Sequence, residues 1–260
     1  MDAFVTAGGI PQPGEPLYEE SLGRNKALLE IAGKPMIQWV LDALCQAGSI
    51  DQIVVIGLPE DSGVSCPKVT AWLSDHGGLL ENIRAGVVKV KELNPQAGHV
   101  LSVSSDIPAI TPEVVNWAVS IANDPEMDMY YNIIRRDVME ARYPTSKRSY
   151  TRLKGLEVCG GDMNVIHTRT ITKNNDLWDK IIGARKNVFK QASLIGYDTL
   201  ILLLLRLIDL KAAEKMVTRR LNVKGKAVIC PYAEVGMDVD KPFQLEIMRA
   251  DLAQSARLAA

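Results

Sequence analysis

Short apolar runs alternate with segments of helical periodicity along the first half of the chain. Three such runs predict buried strands over Ala3–Ala7, Ile53–Gly57 and Val100–Ser104. Between them, apolar residues recur at helical spacing over Met36–Ala47 and Leu79–Leu93. An alternation of strand and helix builds a sheet with helices on both faces. The pattern therefore predicts an α/β fold with a doubly wound, mostly parallel sheet flanked by helices.

The middle of the chain continues this pattern and then departs from it. A threonine N-cap followed by proline predicts a helix over Thr111–Ala122, and Met129–Ile134 predicts another strand. From Arg135 to Lys154, basic residues mixed with proline and serine interrupt the periodicity. Such a stretch is typical of a loop or an edge hairpin.

The last third of the chain is predicted to be mainly helical. Residues 175–222 have a helical composition and include an amphipathic segment over Asp209–Arg220. The chain then returns to the sheet through Ala227–Cys230 and ends in a helix from about Lys241. We expect one domain over residues 1–260, with 175–222 as a small helical appendage.

Composition and charge limit the protein classes that fit this pattern. The 260 residues are 47% hydrophobic and 23% charged, which suits a chain with a substantial core. Thirty basic and thirty-one acidic residues leave a formal net charge of -1. That balance gives no global attraction for nucleic acid or anionic lipid, so we expect no nucleic-acid partner and only local anion binding.

Cysteine spacing and hydropathy predict a cytoplasmic protein without a transmembrane segment. The four cysteines lie far apart with no Cys-x-x-Cys pair, which favours free thiols in a reducing compartment. The first residues lack the basic and apolar regions of a signal peptide. The longest apolar run, Leu200–Leu205, is much shorter than the roughly 20 residues that span a bilayer.

The first predicted strand leads directly into a pair of glycines. Gly8 and Gly9 follow Ala7, and glycines at the end of a strand let backbone amides approach an anion closely. A tight turn without a ligand has the same pattern. Further on, the chain reads Gly-Arg-Asn-Lys-Ala-Leu-Leu from Gly23 and Gly-Lys-Pro-Met from Gly33.

Together, the strand, the glycine pair and these two segments resemble the pyrophosphorylase signature of the nucleotidyltransferases. That family includes molybdenum-cofactor guanylyltransferases, N-acetylglucosamine-1-phosphate uridylyltransferases and sugar-nucleotide synthases. The resemblance implies the Rossmann-like fold of nucleotide-diphospho-sugar transferases. It also implies transfer of a nucleoside monophosphate from an NTP to a phosphorylated small acceptor, a sugar phosphate or molybdopterin, with release of pyrophosphate.

The resemblance places Lys26 at the catalytic lysine of the family. An ammonium there would bridge the α-phosphate and the leaving pyrophosphate, where negative charge develops. A solvated surface lysine is the alternative. The family usually has an arginine soon after the glycines, whereas residues 10–22 form a longer loop without lysine or arginine. Arg24 is the candidate to take that role, and the implied nucleotide-binding residues are thus Ala7, Gly8, Gly9, Arg24 and Lys26.

Two aspartates distant in sequence are candidate ligands of Mg²⁺. Asp106 opens Asp-Ile-Pro-Ala-Ile-Thr, which resembles the family's first metal motif and gives Asp106 a catalytic and nucleotide-binding role as well. Asp-Val-Asp-Lys-Pro, from Asp238, is similar to the second motif, Asp-[Ile/Val]-[Asp/Asn]-Thr-Pro. It implies Asp240 as the second ligand and Asp238 as the alternate. Mg²⁺ needs only one or two protein carboxylates, since phosphate oxygens and water complete its shell. An N-cap role in the following helix is the alternative for one of the pair.

The base and acceptor pockets are also assigned through the resemblance. Gly78 and Asn82, where the second helix begins, match the segment on which the family places the base, although an ordinary loop before a helix has the same pattern. An acceptor-binding insertion is expected over residues 135–170, where arginines suit phosphate recognition. A run of charges is more often a solvated face. The candidate acceptor residues are Arg142, Lys147, Arg148, Gly161 and Asp162.

Two other functions are compatible with the predicted fold. A GT-A-type glycosyltransferase would carry Asp-x-Asp at the metal strand, whereas this sequence has Ser-Ser-Asp ending at Asp106. A non-catalytic nucleotide sensor would keep the fold without turnover, and the unusual loop over residues 10–22 motivates that alternative. The sequence identifies neither the base nor the acceptor, and it leaves a homodimer open.

Overall fold

The structure is a computed structural model that describes residues 1–172 and 207–259, and it is organised around one nine-stranded sheet. A separate two-stranded hairpin is formed by β2 and β3. The strands are β1 (Asp2–Thr6), β2 (Glu30–Ile31), β3 (Lys34–Pro35), β4 (Ile53–Ile56), β5 (Val69–Leu73), β6 (His99–Ser104), β7 (Met129–Arg135), β8 (Thr151–Leu153), β9 (Leu156–Gly160), β10 (Met163–His167) and β11 (Gly225–Cys230).

Parallel pairing dominates one half of the sheet and mixed pairing the other. The strands β5, β4, β1 and β6 are parallel neighbours in that order. Next, β10 lies antiparallel between β6 and β7, and β11 pairs in parallel with β7. An antiparallel hairpin of β9 and β8 extends the sheet from β7. The predicted α/β fold with a mostly parallel sheet is confirmed.

Helices cover both faces of the sheet. Those described are α1 (Tyr18–Ser21), α2 (Met36–Gln46), α3 (Leu79–Leu93), α4 (Pro112–Ser120), α5 (Arg136–Arg142), α6 (Arg169–Thr172), α7 (Leu210–Leu221) and α8 (Pro242–Ala259). On one face, α2, α4 and α8 share the largest buried apolar cluster, and on the other α3 packs over Phe4 and Val54. Strands β1 and β4 are therefore buried throughout, as their continuous apolar runs predict. None of the described helices is long and apolar enough to cross a membrane.

The stretch predicted as a loop or hairpin contains an additional helix. Arg135 ends β7, α5 follows directly, and the chain reaches the edge hairpin only at β8. Because α5 has seven residues and buries only Met139, its apolar periodicity is too short to read from sequence. In the predicted helical appendage, residues 210–221 form α7, and residues 175–206 lie outside the described part of the chain.

Candidate active site

A cleft of about 410 Å³ opens at the carboxyl ends of β1 and β6. Open α/β sheets bind ligands at this edge, because loops there diverge from neighbouring strands. The chain segments that follow β1, β5 and β6 all contribute to its walls. Ten of the residues named from the sequence line it: Ala7, Gly8, Gly9, Lys26, Gly78, Asn82, Asp106, Asp162, Asp240 and the alternate ligand Asp238.

The glycine loop after β1 is held against the lysine segment by Asn25. Its side-chain amide donates hydrogen bonds to the carbonyls of Ala7 and Gly57, and its Oδ1 accepts from the Ala27 amide. Asn25 is therefore the N-cap of a 3-10 turn over Lys26–Leu28. These bonds direct the Lys26 side chain into the cleft. Our sequence interpretation missed Asn25, although asparagine is a preferred N-cap residue.

Lys26 lies between the two predicted metal ligands. Its ammonium is 2.6 Å from Asp106 Oδ2 and 2.8 Å from Asp240 Oδ1. Burial alone would lower the pKa of Lys26, but the two carboxylates outweigh that effect and raise the pKa above its usual range. The half-buried Lys26 side chain is paired with two aspartates, which differs from the solvated surface lysine of the alternative interpretation.

Asp106 keeps one carboxylate oxygen available for a ligand. The residue is 7% exposed, and its Oδ1 is buried without a hydrogen-bond partner in the structure. Its backbone carbonyl accepts a hydrogen bond from the Val239 amide at 2.9 Å, which ties the end of β6 to the segment that carries Asp240. Burial raises the pKa of Asp240, but Lys26, the hydrogen bond with Asp238 and the charge of Arg148 together outweigh it, so that the net shift is downward. The carboxylates of Asp106 and Asp240 thus meet at the ammonium of Lys26.

The carboxylates of Asp106 and Asp240 suit a divalent cation that takes only a few protein ligands. They do not form a site in which protein side chains supply all the ligands. Within residues 1–172 and 207–259, no group of three or more His, Cys, Asp or Glu side chains is arranged to hold a metal. Mg²⁺ needs fewer, because it retains water and binds phosphate oxygens. The unpartnered Oδ1 of Asp106 and the nearby Asp240 carboxylate supply oxygen donors of that kind.

A bulge between β9 and β10 directs Asp162 toward the cleft. Gly160 pairs with Ile133 of β7 and Val165 pairs with Tyr130, so the intervening residues outnumber those of β7. The Asp162 amide donates to Val235 O, and its carbonyl accepts from Ser104 N. Burial, followed by the negative charges of Asp106 and Asp238, raises the pKa of Asp162 to about 8.

The predicted acceptor residues are divided between two regions. Arg148 forms an ion pair with Asp238 and donates to Gly160 O, so it lies beside the bulge. Lys147 shares a smaller hollow with Arg148 and Asp240. Arg142 instead pairs with Glu234 and Asp251 and packs on Tyr143. It is absent from the described lining of the cleft, as are Arg24, whose Nε donates to Ser21 O, and Gly161.

The wall after β5 is organised by Asn82, which is 3% exposed. Its amide nitrogen donates to Asp75 Oδ1 at 2.7 Å, and its oxygen accepts from the His76 amide at 2.8 Å. Asn82 thus fixes the loop that carries Gly78. Asp75 itself lines the cleft and was missed from sequence, although an aspartate just after a strand is a recognisable signal.

The fold and this cleft define the chain as an α/β protein of the nucleotide-binding type. The sequence profile of the MobA-like NTP transferase domain matches residues 20–168, which is more than half of the chain. The protein belongs to that family. The match ends before β11 and α8, so it includes Lys26 and Asp106 but not Asp240.

Known proteins similar to this chain include a hypothetical transferase and a cytidylyltransferase. A structure described as a hypothetical transferase from Thermus thermophilus is 35% identical, covers 94% of this chain and 98% of its own, and superposes with a TM-score of 0.80. The 3-deoxy-manno-octulosonate cytidylyltransferase of Syntrophotalea carbinolica is 25% identical over 90% of this chain and 95% of its own length. The bifunctional protein GlmU of Thermoanaerobacter pseudethanolicus is 31% identical over 38% of this chain, and the match spans only 22% of GlmU.

Proposed function

We propose that the protein transfers a nucleoside monophosphate from an NTP to a phosphorylated small acceptor and releases pyrophosphate. The observation that carries this proposal is the position of Lys26, which contacts Asp106 and Asp240 beside the glycine loop. Membership in the NTP transferase family supports the same reaction class. The free thiols of Cys45, Cys66, Cys159 and Cys230 support a reducing, cytoplasmic location.

The reaction is an in-line displacement at the α-phosphorus. An oxygen of the acceptor phosphate forms the new P–O bond, while the bond between the α-phosphorus and the bridging oxygen breaks and pyrophosphate leaves. The acceptor phosphate is already ionised near neutral pH, because its second pKa is about 6. No residue is therefore required as a general base. Lys26 stabilises the negative charge that develops between the α-phosphate and the leaving group.

Asp106 and Asp240 are the residues that would hold Mg²⁺. Bound there, the cation supplies a positive charge that neutralises and orients the α-phosphate. The unpartnered buried Oδ1 of Asp106 supports its role as a ligand. Asp238 is less suited, because its carboxylate is already paired with Arg148. Lys26, which contacts both ligands, would keep them in place for the nucleotide.

The nucleotide and the acceptor would occupy different walls of the site. Gly8, Gly9 and the loop that carries Gly78 form the nucleotide wall, and Asp75 and Asn82 lie near the expected base position. Arg148 and Lys147 lie on the side of the bulge, where an anionic acceptor would be recognised through charge-assisted hydrogen bonds. Arg142 has a structural role instead: at the end of α5, its guanidinium forms an ion pair with Asp251 of α8 and links the two helices.

Pyrophosphate release tests this proposal. The purified protein would be incubated with Mg²⁺ and with ATP, CTP, GTP or UTP, against sugar phosphates, other phosphorylated alcohols and molybdopterin. We expect release that depends on one NTP and one acceptor. The Asp106→Ala variant should lose at least about 100-fold in turnover, since a transition-state charge contact is lost. Asp61→Ala, at an exposed aspartate outside the cleft, is the control.

Three results would contradict the proposal. Unchanged turnover in Asp106→Ala would exclude Asp106 as a metal ligand, provided that circular dichroism shows a folded variant. Binding of an NTP without release for any acceptor would favour the sensor function. Transfer from a nucleotide sugar, with no pyrophosphate formed, would favour the glycosyltransferase.

A further inference from the structure

The lining of the cleft has far more acidic than basic side chains for a site that binds a triphosphate. Among the described residues, Lys26 is the one basic side chain in its lining. The acidic side chains in the lining are Asp75, Asp106, Asp162, Asp238 and Asp240. The ammonium of Lys26 is already shared by two of these carboxylates. A triphosphate in this cleft therefore needs a further positive group beyond Lys26 and a metal.

The loop over residues 10–22 does not provide that group. It contains no lysine or arginine, and its charged residues are Glu15, Glu19 and Glu20. Arg24 follows the loop, but its guanidinium Nε donates to Ser21 O at 3.3 Å, and the residue is not among those that line the cleft. Arg24 is therefore not placed to bind the triphosphate, as we proposed from the sequence, and another basic side chain must do so.

Lys241 lies across a hollow from the loop over residues 10–22, where it can supply a positive charge for the triphosphate. A second hollow, of about 410 Å³, adjoins the cleft through Gly9, Lys26 and Asp240, and it is bounded by the loop and by Lys241. Lys241 is exposed, and within the described residues its ammonium has no hydrogen-bond or ion-pair partner. The segment from Asp238 resembles the motif Asp-[Ile/Val]-[Asp/Asn]-Thr-Pro, and Lys241 occupies the position of the threonine in that motif. A free ammonium here faces the part of the loop that lacks a cation.

The positions of the other basic side chains indicate that Lys241 contacts the leaving group and not the acceptor. In-line displacement puts the acceptor and the pyrophosphate on opposite sides of the α-phosphorus. Lys241 also borders the hollow that holds Lys147 and Arg148, so that hollow has two other basic residues for the acceptor, and it shares neither Gly9 nor Lys26 with the cleft. The loop hollow shares both. The pyrophosphate end of the nucleotide therefore belongs in the loop hollow.

We infer that Lys241 binds the β- and γ-phosphates of the NTP and replaces the basic residue that the loop over residues 10–22 lacks. This inference rests on the proposed nucleotidyltransferase function. It assigns to the first residue before α8 a contact with the leaving group, in addition to the metal-binding role of the preceding Asp240.

Binding of inorganic pyrophosphate tests this contact without knowledge of the base. Isothermal titration calorimetry in Mg²⁺ would compare wild type with Lys241→Ala, Lys241→Arg and Lys89→Ala, a control on the surface of α3. We expect Lys241→Ala to weaken binding of pyrophosphate and of the preferred NTP about tenfold or more, the effect of losing a charge-assisted hydrogen bond. Binding of the corresponding NMP should change less than about twofold, because a monophosphate lacks the contacted group. Lys241→Arg should restore most of the affinity.

Kinetics with the acceptor separate this contact from an acceptor role. If Lys241→Ala raises the acceptor KM and leaves the Kd of pyrophosphate unchanged, Lys241 serves the acceptor and the inference is wrong. Equal losses for NTP and NMP would also overturn it, since they indicate a general distortion of the cleft. If wild type binds no NTP, both proposals fail. If wild type releases pyrophosphate and Lys241→Ala binds it normally, only this inference fails.

Discussion

At Gly8 there is no room for the single additional atom of an alanine side chain. A Cβ built on Gly8 would lie 2.1 Å from Asp75 Oδ1 and 2.9 Å from Asn82 Nδ2. Such contacts are too short, so the side chains of Asp75 and Asn82 would have to move away from residue 8. Gly8 is therefore required by the side chains that form the opposite wall, in addition to any approach of a phosphate.

We predict that Gly8→Ala weakens NTP binding about tenfold or more and lowers the free energy of unfolding by about 1–3 kcal/mol, as overpacking does. Titration calorimetry and urea unfolding would measure the two effects. Gly48→Ala is the matched control, because a Cβ at Gly48 would meet no heavy atom within 4 Å. Normal NTP affinity in Gly8→Ala would show that Asp75 and Asn82 are not needed in their present positions.

Residues with tertiary roles were the hardest to find in the sequence. The motifs around Lys26 and Asp106 are contiguous, and the structure places both side chains in one cleft. Asn25 instead acts through hydrogen bonds to Ala7 and Gly57, which lie 18 and 32 residues away in the chain. No local periodicity records such contacts, because they depend on which loops the sheet brings together.

At the scale of elements, the buried strands were predictable and the periphery was not. The core strands β1 and β4 contain the apolar runs Ala3–Val5 and Ile53–Ile56, which are typical of a sheet covered on both faces. The bulge between β9 and β10 has no such signature, since it arises where four residues, 161–164, lie opposite two residues of β7. That bulge places the half-buried Asp162 beside the charges of Asp106 and Asp238.

The burial of Asp162 predicts a pH-dependent cost to stability. Its pKa is raised to about 8 in the folded protein, against about 3.9 in an unfolded chain. The folded state therefore binds the proton more tightly, and the free energy of unfolding falls as pH rises between these two values. We expect Asp162→Asn to be more stable than wild type at pH 8 by on the order of a few kcal/mol, and the difference to vanish near pH 4.

Thermal unfolding from pH 4 to 8 in EDTA would check this prediction, with chelation keeping metal binding out of the comparison. Asp137→Asn is the control, because Asp137 is exposed and paired only with the neighbouring Arg135. If wild type and Asp162→Asn respond to pH in parallel, Asp162 is ionised in the folded protein, and the bulge does not impose the burial that the structure indicates.

For the whole molecule, charge is distributed unevenly despite a formal net charge of -1. Acidic side chains concentrate in the cleft at the carboxyl edge of the sheet, with Lys26 as the basic one in the described lining. A nucleoside triphosphate adds several negative charges to this region, and the sum is repulsive at short range unless a cation is present. The amino-acid composition does not show this local excess of acidic side chains, because they come together only in the folded chain.

We therefore predict that removal of divalent cations weakens NTP binding by at least about 100-fold, since unscreened charges in a partly buried cleft repel strongly. Titration calorimetry with Mg²⁺ or with EDTA would measure the change in Kd. Asp240→Asn should reduce the difference between the two conditions, because it removes one repulsive charge together with one metal ligand. Raising the ionic strength to 1 M is the control for general screening, and it should not replace Mg²⁺. Equal affinity in EDTA would mean that Lys26 and Lys241 alone compensate the aspartates, and that the carboxylates do not function through a metal.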